Sequence, residues 1–105
     1  MVRDERDHAL EQEILEEKAA SLARVAKRTE AALEAFREAD RQMERTGSAE
    51  PEHIEQRSSR LRDAAESLWE LIVQRESLGI TDHSAILSSD KVPPEVRKRM
   101  GSKRR

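Results

Sequence analysis

Met43-Glu44-Arg45-Thr46-Gly47-Ser48-Ala49-Glu50-Pro51-Glu52-His53-Ile54 is the stretch on which the fold turns. Gly47 is the residue type that most easily adopts the left-handed conformation found just past a helix end. Ser48 can cap a following helix, and Pro51 suits a first helical turn, where its missing N–H has no partner to lose. A stop and a start this close together leave room only for a short connection, and short connections make helices antiparallel neighbours. The stretch therefore predicts a helical hairpin.

Both flanks support it. From Asp4 to Thr46 there is no Pro or Gly, and apolar residues recur at helical spacing: Leu15, Leu22, Thr29, Phe36 and Met43 in one register, Lys18, Val25, Ala32 and Ala39 in the other. The first helix is expected over about 4–46. The second is expected over about 51–78, with Ile54, Leu61 and Leu68 in one register, Ala64, Leu71 and Leu78 in the other, and Gly79 as its stop. Folding at residues 47–51 pairs positions whose numbers add to roughly 97. Phe36 should meet Leu61, Thr29 meet Leu68, Ala32 meet Ala65, and Leu22 meet the stem of Arg75.

Composition agrees with an all-α chain. Of 105 residues, 35% are apolar and 40% charged, the balance of paired long helices, and Phe36 and Trp69 are the whole aromatic content. A sheet would need β-branched and aromatic alternation between frequent turns, which three Gly and three Pro do not provide. With no cysteine, disulfides, thiolate nucleophiles and Cys-ligated zinc are excluded. The first twenty residues are charged throughout and no run approaches the ~20 apolar residues of a membrane span, so a soluble cytoplasmic protein is expected.

Two features exceed a bare hairpin. The segment 64–73 is apolar around more than half of the helix, so something must cover Trp69, Ile72 and Val73. The first helix also overhangs its partner, leaving Leu10, Ile14 and Leu15 without a companion. The remaining chain reads as a short helix over about 82–87, capped by Thr81 or Asp82, and another over about 94–100 that starts at proline and stops at Gly101. These pieces are expected to bring Ile80, Ile86, Leu87, Val92, Val96 and Met100 back near the open end of the hairpin. Residues 1–101 thus form one helical domain, with 102–105 expected to be a disordered basic tail. So small a chain has a thin core, and dimerisation of two hairpins into a four-helix bundle through the remaining apolar face would thicken it.

The passages Val73-Gln74-Arg75-Glu76-Ser77-Leu78-Gly79-Ile80 and Val92-Pro93-Pro94-Glu95-Val96-Arg97-Lys98-Arg99-Met100-Gly101, with Glu17-Lys18-Ala19-Ala20-Ser21-Leu22 before them, resemble a family of small uncharacterised bacterial proteins. The resemblance spans roughly 14–101. It implies a bacterial cytosolic setting and carries no activity with it.

The chemistry-bearing residues point away from catalysis. Glu50-Pro51-Glu52-His53 has the Glu-x-x-His spacing of di-iron carboxylate bundles, but it straddles a helix start, and the seam of Thr29, Ala32, Phe36, Leu61, Ala65 and Leu68 holds no acid. A ferritin-like metal bundle is the least favoured reading. His8 with Glu11 lies near a fraying end, and His83 lies in a capping turn. Ser58, Ser59, Ser88 and Ser89 have neither a nucleophile elbow nor a glycine-rich oxyanion loop around them. No catalytic, cofactor or metal residue is assigned, and a non-enzymatic module is expected.

Charge is divided along the chain. Residues 1–90 carry 13 Lys/Arg against 21 Asp/Glu, a balance of −8, and residues 91–105 carry 7 against 1, a balance of +6. The basic end, Arg97, Lys98, Arg99, Lys103, Arg104 and Arg105, could contact phosphates, which makes a nucleic-acid-associated accessory protein the alternative function. No aromatic residue interleaves these charges to stack on bases, and the acidic body opposes it. The favoured reading is a homodimeric protein-binding module with Trp69, Ile72 and Val73 as its partner-binding residues.

Overall fold

A computed structural model of the chain describes residues 5–47 and 50–104, with the side chains of 102–104 left aside. Ser48 and the tail residue Arg105 lie outside the described residues, as do the side chains of Lys103 and Arg104. The elements are α1 (Glu5–Thr46), α2 (Pro51–Ser77), α3 (Ser84–Leu87) and α4 (Pro94–Arg104), with no strand among the described residues. The molecule is a rod of 67 × 22 × 21 Å, its length set by α1, whose 42 residues rise about 63 Å.

Gly47 ends α1 at φ +58°, its N–H bonded to the Met43 carbonyl at 3.0 Å. Pro51 opens α2 in its first turn. At the far end, the Ile80 N–H bonds the Arg75 carbonyl and the Gly79 N–H bonds the Glu76 carbonyl, with Gly79 at φ +83°. That is a Schellman stop, which satisfies carbonyls the helix itself leaves open.

The α1–α2 seam follows the pairing expected from the loop position. Partner numbers add to 97 where Arg57 Nε meets Asp40 at 2.8 Å, to 96 where the buried Thr29 hydroxyl meets the Ser67 carbonyl at 3.0 Å, and to 98 where Arg28 meets Glu70 at 2.9 Å. Thr29 Oγ1 also lies 2.7 Å from the Val25 carbonyl, so its single proton serves a carbonyl on either helix and a buried hydroxyl is satisfied. Phe36, Leu33, Ala64, Ala65, Leu68 and Ile72 form the core, with Ala32, Leu61 and Trp69 packed against it.

The C-terminal segment takes a different route from the one expected. After the Schellman turn it does not run out beside the free end of α1. It doubles back toward the interhelical loop and lays α4 on α2, so that Glu95 reaches Arg57 and Val92 lies beside Ala26, Leu33 and Leu68. Val92, Val96 and Met100, four residues apart, form one stripe that joins the core, each 5% exposed or less. The physical reason is the breadth of the apolar arc on α2: burying Ala65, Leu68 and Ile72 removes more apolar surface from water than pairing with three residues of the overhang.

Two local boundaries also differ from expectation. α3 begins at Ser84 because Asp82 Oδ1 accepts both the Ser84 backbone N–H at 3.0 Å and its hydroxyl at 2.7 Å, which fixes Asp82 and His83 ahead of the helix. α4 continues through Gly101, which carries no positive φ and so does not act as a stop.

Candidate interaction surface

On the observed register Ser77, the last residue of α2, comes level with residue 20 of α1. Residues 5–19 therefore project about 22 Å beyond the hairpin. Leu10, Ile14 and Leu15 are 52%, 53% and 56% exposed there, while Val25, Thr29, Leu33 and Phe36, further along the same face, are buried. The overhang is a continuation of the apolar seam past the point where its companion ends. Large apolar side chains aligned on one helix face are the feature that docks another helix.

Polar groups frame this stripe. Glu11 and Lys18 are seven residues apart, in line with Val25, and so lie within it. A groove lined by Ile14, Glu17, Lys18, Ser21, Arg24 and Gln74 leads from the stripe onto the end of α2.

The residues first expected to bind a partner divide three ways. Ile72 is fully buried in the core that α4 joins, Trp69 is half-buried against the same core, and Val73 remains 41% exposed. They do not form one open patch. Of the basic end, Arg97 donates to the Leu87 carbonyl at 2.7 Å and ties α4 to the end of α3, whereas Arg99 is exposed and Lys98 is exposed with a partner of its own. Lys103, Arg104 and Arg105 fall outside the described side chains.

No set of three His, Asp or Glu side chains converges on a common point among the described residues. His83 accepts a hydrogen bond at Nδ1 from Arg75 Nε at 3.1 Å, which holds the turn after α2 against its last helical turn. Ser88 donates to the Ser84 carbonyl, and Ser89 accepts the Lys91 N–H, so both serve the turn after α3. A cleft of about 280 Å³ between α1, α2 and the α3 region is walled by Ala26, Leu33, Leu68, Leu71, Ile86 and Val92. The Thr29 and Ser89 hydroxyls on its wall are already engaged within the fold, and Glu30 and Lys91 line it as well.

One polar cluster has no counterpart among the expectations from the sequence. Arg57, from α2, bonds Asp40 on α1 through Nε, grips Glu95 on α4 at 2.9 and 2.6 Å, and stacks its guanidinium 4.9 Å above the Phe36 ring. The two carboxylates raise the pKa of the guanidinium further, and Arg57 in turn lowers that of Glu95, chiefly by the hydrogen bond between them. This cluster fastens three helices at the loop end and leaves the opposite end free.

Fold and surface together define a small all-α protein, a helical hairpin braced by a returning C-terminal helix. The chain belongs to the family of unknown function DUF6665, whose model matches residues 1–105. No curated protein and no solved structure matches it. No helix among the described residues is long and apolar enough to cross a membrane.

Proposed function

We propose that the protein is a non-enzymatic helical interaction module that acts by docking another helix on the free end of α1. One observation carries the reading: Leu10, Ile14 and Leu15 are all more than half exposed, on the side of α1 that is buried from Val25 to Ala39, where α2 lies against it. Covering such a stripe removes apolar surface from water at roughly 25 cal/mol per Å², and a second helix laid along it does so while keeping every backbone group bonded. The braced loop end supplies a rigid base for it, since Arg57 and the α4 stripe hold the hairpin closed. The side chains point the same way, because Thr29, Arg97, Ser88 and Ser89 are each taken up in holding the fold.

A photo-crosslinking amino acid placed at Leu10, Ile14 or Leu15 tests this in cells. Protein adducts are expected at these three positions and none at the exposed Ala31 of the same helix. Equal or absent adducts at the stripe positions would remove the reading.

A further inference from the structure

We infer that the helix docked on the free end of α1 is the same segment of a second copy of this chain, running antiparallel about a two-fold axis between Ile14 and Leu15. The inference rests on the docking reading above and names its partner. Charge placement carries it. Divided at that axis, residues 5–14 of α1 hold four acidic residues and one basic one, Arg6, whereas residues 15–24 hold Glu16 and Glu17 against Lys18 and Arg24. The outer half is acidic and the inner half carries no net charge, so an antiparallel neighbour of identical sequence lays acidic on neutral, and a parallel one lays acidic on acidic.

The stripe itself fixes the register. Its one acid and one base, Glu11 and Lys18, lie 3.5 positions on either side of the midpoint between Ile14 and Leu15. In the antiparallel arrangement Ile14 of each copy meets Leu15 of the other, and each Glu11 comes opposite the other copy's Lys18. Two ion pairs then flank a central apolar contact. In the parallel arrangement Glu11 faces Glu11 and Lys18 faces Lys18, which costs on both counts. The acidic first turn, Glu5 and Asp7, comes level with Leu22 to Arg24 of the neighbour. The groove beside it is lined by Lys18 and Arg24 with Glu17, Ile14, Ser21 and Gln74. A contact of about 20 Å between two helices is a small interface, so the dimer is reversible and concentration-dependent.

The test is sedimentation equilibrium of the full chain from about 1 µM to several hundred µM. The wild type is expected to pass from monomer to dimer. Glu11→Lys and Lys18→Glu each turn both ion pairs into like-charge pairs and should weaken the dimer roughly tenfold to a hundredfold. Glu11→Lys/Lys18→Glu in one chain restores the pairs and the affinity. An equimolar mixture of the two single variants restores it as well, as a heterodimer. Far-ultraviolet circular dichroism, unchanged across the set, shows that the hairpin remains folded. A wild type monomeric throughout overturns the assignment, as does a dimer indifferent to both single substitutions or one that the double exchange fails to restore. A monomeric wild type whose stripe positions crosslink to a different protein overturns the second copy alone and leaves the docking reading standing, whereas stripe positions that form no adduct remove both.

Discussion

Replacing Arg57 by Ala should loosen the whole loop end of the molecule, because this one side chain joins α1, α2 and α4. Its side chain is 24% exposed, while Asp40 and Glu95 are 42% and 48% exposed. Both carboxylates can rehydrate once the guanidinium is gone, so each ion pair is worth about 1 kcal/mol, near the upper end for exposed pairs, rather than the several of a buried one. Stacking on Phe36 adds about 0.5–1 kcal/mol. The expected loss is then about 2–3 kcal/mol, and a chain of this size moves by roughly 4–8 °C per kcal/mol, which puts the melting temperature about 10–20 °C lower. Thermal melts followed at 222 nm, at one fixed protein concentration and pH 7, measure it. Arg57→Ala combined with Glu95→Ala should be less destabilising than the sum of the two, by about 1 kcal/mol. A loss under about 0.5 kcal/mol for Arg57→Ala, or strict additivity in the cycle, would refute the bracing role.

Thr29→Val removes a hydroxyl that meets carbonyls of both helices in the seam and leaves the Ser67 carbonyl without that partner, so denaturant unfolding should show a loss of about 1–2 kcal/mol at unchanged m-value. Ile72→Ala opens a cavity under α4 at a fully buried position and should cost about 2–5 kcal/mol in the same assay. Acid should destabilise the fold in a defined direction. Glu34 is held below its ordinary pKa by hydrogen bonds from Arg37 and then Arg41, Glu38 chiefly by Arg41, and Glu95 by Arg57. A carboxylate lowered on folding contributes stability above its unfolded value and loses it as the pH falls through the folded one. Melting temperature should therefore be level above about pH 5 and fall below about pH 4, with part of that fall missing in Glu95→Gln.

The hairpin was legible because its punctuation is chemical. Gly47 and Pro51 mark the loop, Gly79 marks the second stop, and the loop position alone sets which residues of α1 and α2 meet. The same rule that pairs Phe36 with Leu61 pairs Asp40 with Arg57, an ion pair whose partners both lie outside the apolar registers. The path of the C-terminal segment was not legible. After a Schellman turn the chain can run either way along the hairpin, and the spacing of Val92, Val96 and Met100 announces a stripe without saying which surface it covers. That choice depends on the total area each route buries, a property of the packed molecule. It also decides the candidate site: with Ile72 buried in the core that α4 joins, the most exposed large apolar side chains among the described residues are Leu10, Ile14 and Leu15. Gly101 misled for a simpler reason, since glycine permits a stop without requiring one.

Amide hydrogen exchange of the intact chain, read by peptide at low and at high protein concentration, bears most directly on a hairpin closed at one end and open to a second copy at the other. Slow exchange is predicted over residues 25–39 and 61–72 at every concentration, with residues 8–19 exchanging quickly when dilute and becoming protected as concentration rises. Exchange over residues 8–19 that is independent of concentration, or protection spread evenly along all of α1, would contradict the account.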